Sequence, residues 1–401
     1  MVAPLEGIRV LEVASWLAAP SCAALMADMG ADVIKVEPPQ GDTYRRMYDA
    51  LLGDGSVHPC YQFDNRGKRG VRIDFEQEEG LQVLSTLIKD VDIFVTNLTM
   101  ERLQRYRLTT DDIHQLSPGA VVAVLSGYGT DGADSHRQAF DQTAFWARSG
   151  AMSVFGDRGD VGPLISRGGY GDRTTGLNLL SAILAALRVR DQTGEGQYVE
   201  VTLQRTGIWA LASDVNTALF ERAQPDKTSR ELPPNPIWNS YQTKDGRWIL
   251  LVMPMPTNFW PKFCALVDRQ DWLDDERFST VLGLMEHGVE IVPEVRAIFA
   301  EHTLDDWRSR LDESGLIWEP MADLPDVVED PALRERGAFS YVVHEQAGAM
   351  EVVSAPFHIA GADIEVRGPA PDAGQHTRAV LEDAGYSPQE LEQLLAKGAV
   401  V

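Results

Sequence analysis

Short β-branched and aliphatic runs alternate with helix-forming runs through the first half of the chain. That alternation narrows the fold more than any other feature. Ile8-Arg9-Val10-Leu11-Glu12-Val13 reads as a strand. Pro20 suits a first helical turn, residues 22–29 are rich in Ala, Leu and Met, and Gly30 ends the run. Val33-Ile34-Lys35-Val36-Glu37 returns as a strand and stops at Pro38-Pro39. The pattern recurs with a helix at 80–89, a strand at 92–97, a helix at 100–106 and a strand at 120–125. A helical crossover joins parallel strands. Strands apolar on both faces belong in a sheet that helices cover on both sides. The fold class is therefore α/β.

The next element begins with a glycine-rich turn, Gly168-Gly169-Tyr170-Gly171-Asp172-Arg173-Thr174-Thr175-Gly176. Behind it, Leu177, Leu180, Leu184 and Leu187 fall at helical spacing, with small residues Ala182, Ala185 and Ala186 on another face. Asp172 sits where the turn enters the helix, and the helix dipole and free amides favour an ionised carboxylate there. Two roles are open to it on this pattern: an N-cap or a reactive carboxylate. A strand at 198–203 and a helix at 204–220 follow, then a polar, proline-bearing stretch at 224–236 that reads as a domain boundary. Beyond it, strands at 238–243 and 247–253 flank Lys244-Asp245-Gly246, a hairpin signal. Helices near 259–267, 288–301 and 304–314 complete a smaller α+β unit. After Asp330-Pro331 the chain is strand-like again at 341–343 and 350–353, then helical near 377–384 and 388–397. The expected division is 1–223 with 331–401 as a large domain, and 224–330 as a small one.

The net charge of −24 over 401 residues argues against nucleic acid and anionic membranes as partners. No run approaches the length of a membrane helix. The opening residues carry neither a basic stretch nor an apolar one, which points to a cytoplasmic protein. Cys22, Cys60 and Cys264 are too scattered for a disulfide framework, and the eight histidines never fall at ligand spacing, so no metal site is expected. Dinucleotide, phosphate-loop and Gly-x-Ser-x-Gly signatures are missing. Two features remain. Ser126-Gly127-Tyr128-Gly129 ends a strand where open α/β sheets bind ligands, or is a plain glycine turn. Arg66-Gly67-Lys68-Arg69-Gly70-Val71-Arg72 is a local basic patch able to meet a phosphorylated ligand. The tryptophans of the second unit (Trp238, Trp248, Trp260, Trp272, Trp307, Trp318) read mostly as core, with one or two able to wall an acyl pocket.

Several of these stretches together resemble the class III, formyl-CoA transferase-like, coenzyme A transferases. They are Pro4-Leu5-Glu6-Gly7-Ile8-Arg9-Val10-Leu11-Glu12, Ala27-Asp28-Met29-Gly30-Ala31-Asp32-Val33-Ile34-Lys35-Val36-Glu37, Asn65-x-x-Lys68-Arg69, Asn97 with Arg105, Ser126-Gly127-Tyr128-Gly129, Thr193-Gly194-x-Gly196-Gln197 and His376-Thr377. The resemblance spans nearly the whole chain in order. It implies a Rossmann-like large domain built from both chain ends, a small inserted domain, and an interlocked homodimer. It implies that Asp172 is the catalytic nucleophile, with coenzyme A as substrate and product and no permanently bound cofactor. The positions that match coenzyme A contacts are Leu17, Ala18, Ile73, Phe75, Asn97, Leu98 and Arg105, with Gln138 to Asp141 nearby.

There are departures. Pro38 and Glu76 stand where formyl-CoA transferases carry an arginine and a lysine, so the phosphate grip falls to Arg46, Arg69 or Arg72. A glycine-rich loop of the small domain has no counterpart. Oxalate and formate are therefore not the expected acids. The α-methylacyl-CoA racemases share the fold and use a Gly-His-Asp histidine as a base, but here the segment is Ala139-Phe140-Asp141. The Phe140 neighbourhood and Pro234-Asn235-Pro236 resemble the transferases acting on aryl- or branched 2-hydroxy acids. The resemblance implies transfer of coenzyme A from an acyl-CoA to a carboxylic acid through aspartyl intermediates; the backbone amides of the turn Gly168 to Gly171 read as stabilisers of the oxyanion. The alternatives are a 2-methylacyl-CoA racemase and a non-catalytic acyl-CoA-binding protein.

Overall fold

The structure is a computed structural model that describes residues 1–52, 57–157, 162–227 and 229–401. Six parallel strands form the main sheet: β1 (Arg9–Val13), β2 (Asp32–Glu37), β3 (Arg69–Arg72), β4 (Ile93–Thr96), β5 (Val121–Ser126) and β6 (Gln197–Thr202). Their order is β3-β2-β1-β4-β5-β6. Val10 pairs with Val33 of β2 on one side and Ile93 of β4 on the other, both parallel. The chain thus builds outward from β1 in one direction and from β4 in the other. The loops leaving β1 and β4 part at that junction and open a crevice at the carboxyl ends of the strands. The parallel sheet expected from the alternation is present. β3 was not anticipated as a strand, because Arg69-Gly70-Val71-Arg72 has one apolar side chain in four residues.

The intervening helices are α1 (Ala18–Asp28), α2 (Thr43–Leu52), α3 (Pro59–Asn65), α4 (Glu78–Ile88), α5 (Met100–Arg105), α6 (Thr110–Leu116), the single turn α7 (Ala151–Val154), α8 (Tyr170–Thr193), α9 (Leu203–Ala210) and α10 (Ala212–Glu221). Every residue of α1 is buried, as expected of a helix enclosed by neighbours on all sides. It packs on α8 where Gly176 meets it. A Cβ on Gly176 would lie 2.3 Å from Ser21 Oγ and 2.7 Å from the Ala18 carbonyl oxygen. The glycines of the α8 entry therefore differ in role. Only Gly169 needs the left-handed backbone (φ +92°), whereas Gly171 and Gly176 lie inside the helix and permit close approach. The helix expected at 204–220 is broken at Leu211 into α9 and α10.

The chain divides into two compact units, Met1–Ser153 with Ile165–Glu221 and Ala332–Val401, and Val154–Leu164 with Arg222–Pro331. The first holds the main sheet, its core of Leu11, Val36, Phe94, Val122 and their neighbours, and an antiparallel hairpin, β10 (Phe339–His344) with β11 (Gly348–Val353). The second contains a three-stranded antiparallel sheet, β7 (Trp238–Gln242), β8 (Trp248–Val252) and β9 (Trp318–Pro320). Its core includes Trp260, Phe263, Trp272, Phe299 and Trp307, so three of the tryptophans are packing residues. Trp238 is half exposed and lines a separate cavity of that unit. Among the described residues no helix is long and apolar enough to cross a membrane.

Candidate active site

Three loops at the carboxyl edge of the sheet build the site. Ser15 to Ala18 leave β1, Asn97 to Thr99 leave β4, and Ser126 to Thr130 leave β5. Asn97 ties the first two together: its Oδ1 accepts the Ser15 N–H at 3.1 Å and its Nδ2 donates to the Ser15 carbonyl at 2.7 Å. Trp16, between them, has a positive φ of 68°. Its indole meets the Phe140 ring edge-on at 5.4 Å. These loops, Gln138 to Phe140 and Asp172 line a cavity of about 320 Å³.

Asp172 enters the cavity from the first turn of α8. Its carboxylate makes no hydrogen bond or ion pair with another described residue, and it is half-buried. Burial pushes the carboxyl up, and the charges of Asp141 and Asp64 push it further, to about 7, against the pull of Arg173. The helix N-terminus was expected to keep this group ionised. That effect is overridden because the carboxylate leaves water among two other carboxylates. Nor is Asp172 the N-cap: Gly169 holds that position, and its N–H donates to Asp141 Oδ2 at 2.6 Å. Since Asp141 already occupies it, this amide is not available to an oxyanion as the sequence had suggested. Asp64 in α3 is buried, pushed up to about 6 by its burial, and held by two bonds from Arg173 of 3.1 and 2.9 Å.

A second cavity, of about 280 Å³, shares Ser15, Leu98 and Arg102 with the first. It runs past Pro38, Arg46, Phe75 and Glu76. Beneath it lies an ion network that sequence inspection missed. Lys35 Nζ meets Glu12 Oε1 and Asp42 Oδ2, both at 2.9 Å, and Lys68 Nζ meets Glu12 Oε2 at 2.6 Å, every side chain fully buried. The only signal for it was charge inside otherwise apolar strands, Glu12 in β1 and Lys35 in β2. Arg46 and Arg102 have no ion-pair partner among the described residues.

The structure brings Leu17, Ala18, Asn97, Leu98 and Gln138 together around the Asp172 cavity, and Phe75 with Leu98 around the second. Ala139 and Phe140 line the first as well and Arg46 the second, whereas Ile73, Asp141, Arg69, Arg72 and Arg105 line neither. Ile73 is fully buried and bridged to Val400. Asp141 faces the start of α8. Arg69 is committed to Asp32 at 2.6 Å and Asp383 at 2.7 Å. Arg72 lies against Gly374, and Arg105 pairs with Glu76. The basic run is not a solvent-facing patch: Arg66 is buried against Asp28 at 2.6 Å and Lys68 against Glu12. Of these charges only Lys68 joins the network; Arg66 turns inward to Asp28, and Arg69 stays part-exposed against Asp32 and Asp383.

Fold and site together define an α/β protein with a cavity at the switch point of its parallel sheet, into which the Asp172 carboxylate opens. The CoA-transferase family III model matches residues 5–377. An (R)-2-hydroxy-4-methylpentanoate CoA-transferase from Clostridioides difficile is 33% identical over 389 residues, 96% of this chain and 97% of that protein. A cinnamoyl-CoA:phenyllactate CoA-transferase from Clostridium sporogenes is 26% identical over 393 residues, 97% of this chain and 95% of that one. Among solved structures, a CAIB/BAIF family protein from Brucella suis superposes with a TM-score of 0.84 at 25% identity, covering 96% of this chain and 100% of that one. The chain belongs to CoA-transferase family III and is a CoA-transferase.

Proposed function

We propose that the enzyme moves coenzyme A from an acyl-CoA thioester to a 2-hydroxy acid, with Asp172 as covalent nucleophile. The observation that carries this is Asp172 itself, a carboxylate without a hydrogen-bond or ion-pair partner among the described residues, raised to about 7 and open to a cavity at the switch point. The carboxylate attacks the thioester carbonyl and expels coenzyme A as thiolate, leaving an aspartyl–acyl anhydride. The thiolate attacks the aspartyl carbonyl, releasing the donor acid and forming an aspartyl–CoA thioester. The acceptor carboxylate displaces the thiolate to give a second anhydride. The thiolate then attacks the acceptor acyl carbon, which forms the new acyl-CoA and frees Asp172. Each step exchanges one activated acyl bond for another, so the thioester's energy is kept.

The choice of acid is supported by the two similar transferases, both named for 2-hydroxy acids, and by the Trp16–Phe140 wall, which suits a branched or aryl side chain. In the second cavity Arg46 and Arg102 supply positive charge for the phosphates of coenzyme A, in place of Arg69 and Arg72. Racemisation is not favoured, because Phe140 offers no second base. The working unit in this proposal is a homodimer. The test is a matrix of acyl-CoA donors against carboxylate acceptors, with product masses read directly. Branched or aryl 2-hydroxy acids should accept coenzyme A, and Asp172→Asn should lose activity by several orders of magnitude. Transfer by a folded Asp172→Asn protein at near wild-type rate would overturn the proposal.

A further inference from the structure

Among the described residues, an acidic residue at the third position of a helix folds back wherever the N-cap residue carries a side-chain oxygen, whereas Asp214 and Glu294, which follow Leu211 and Ile291, make no such bond. Asp112, Asp306, Asp326 and Glu390 each follow such a cap, and each reaches back to accept the N–H of its own N-cap residue, at 3.0, 3.2, 3.1 and 2.8 Å. This is the reciprocal capping arrangement expected of the position. Three of the four, Asp306, Asp326 and Glu390, are held below the ordinary carboxylate range, with hydrogen bonds to the cap residue heading the causes.

Asp172 occupies the same position in α8 and does otherwise. The N-cap there is Gly169, which has no side-chain oxygen, and its N–H is already taken. Asp141, 28 residues earlier in the chain, accepts it at 2.6 Å, a short bond of the charge-assisted kind. Asp141 is 3% exposed. Its other oxygen lies so close to Gly171 that a Cβ there would sit 2.3 Å from it and 2.3 Å from the Phe145 ring. Phe145 belongs to the π-helix Gln142–Ala147 that Asp141 introduces. The seat for the Asp141 carboxylate is therefore built from both sides, by a glycine in α8 and by the turn that follows Asp141.

We propose that Asp141 is a positioning residue: it caps α8 from a distant segment, withholds the Gly169 amide from Asp172, and so leaves the Asp172 carboxylate turned to the cavity instead of folded back on its own helix. The inference rests on the reading of Asp172 as nucleophile. The charged groups that face Asp172 are Asp141 ahead of the π-helix, Asp64 from α3 and Arg173 from α8. Of these, Asp141 alone also competes for the helix's first donor.

The test titrates Asp172 directly by NMR on protein carrying carboxyl-labelled aspartate, its resonance assigned as the one lost in Asp172→Asn. In Asp141→Ala the Gly169 amide is released and a like charge removed, so the Asp172 midpoint should fall by about one unit or more. Asp141→Asn keeps an acceptor for Gly169 and guards against a failure to fold. It should show a smaller fall from the charge alone. The acid limb of the kcat profile should move with the midpoint. In Asp141→Ala, kcat on the plateau should drop about tenfold with little change in KM for acyl-CoA, as expected when an interaction serves the reacting state more than binding. An Asp172 midpoint unmoved in both folded variants would overturn the inference. A midpoint that moves while the activity profile stays put would support the positioning role and count against Asp172 as nucleophile.

Discussion

Asp172 should be a stability cost that the enzyme carries for function. Its carboxyl rises from an ordinary 3.8 to about 7 in the folded chain. Each unit is about 1.4 kcal/mol, so the shift corresponds to roughly 4 kcal/mol, and partial solvation of the half-buried side chain brings the expectation to about 2–4 kcal/mol. The sign follows from proton binding. Between the unfolded and folded pKa values the folded state holds more protons, so ionisation destabilises it. The penalty is absent below about pH 4 and complete above about pH 8. Asp172→Asn keeps the volume and removes the charge. Urea unfolding of the variant and wild type, at equal protein concentration, should show the variant more stable by about 2–4 kcal/mol near pH 8.5 and equal near pH 4. A variant no more stable than wild type at the higher pH would refute the account of the carboxylate's surroundings. A gain that persists unchanged at the lower pH would refute it equally.

Other consequences can be measured independently. Arg46→Ala and Arg102→Ala should each raise KM for acyl-CoA by about ten- to a hundredfold, the weight of a charged hydrogen bond, with KM for the acceptor acid unchanged in steady-state kinetics. Gly176→Ala should destabilise the protein by about 1–3 kcal/mol in denaturant unfolding, because the new Cβ meets Ser21 and the Ala18 carbonyl of α1. Lys68→Met should cost about 3–5 kcal/mol in the same assay, since it strips one partner from the buried Glu12.

What the sequence made legible follows from how local each signal is. The strands β1, β2, β4 and β5 are apolar runs between turn signals, and the crossover rule then makes them parallel without further information. The hairpin of β7 and β8 was legible for the same reason, through Asp245-Gly246 between alternating strands. β3 was not, because Arg69 binds Asp32, 37 residues away, and the Arg72 amide donates to Thr377, 305 residues away. Charge that would read as a surface patch is neutralised by residues the chain brings up only on folding. Asp172 stood out because a glycine-rich turn precedes a long apolar helix. Its chemical state did not, because burial, together with Asp141 and Asp64 approaching from separate elements, reverses the effect the helix alone would have. Asp141 was legible as a neighbour of the site through the resemblance, but its cap on α8 depends on Gly169 lacking a side chain and on Gly171 lacking a Cβ, a conjunction visible only in three dimensions.

The covalent role of Asp172 has a direct test in the fate of the acceptor's oxygen. In the proposed sequence the acceptor carboxylate becomes joined to the aspartyl carbonyl, and when the thiolate takes the acyl group, one acceptor oxygen stays behind on Asp172. Turnover with an acceptor acid labelled with heavy oxygen in its carboxylate, followed by digestion and mass analysis, should therefore leave the label in the peptide containing Asp172 and in no other. Productive turnover that leaves that peptide unlabelled would contradict transfer through an aspartyl intermediate.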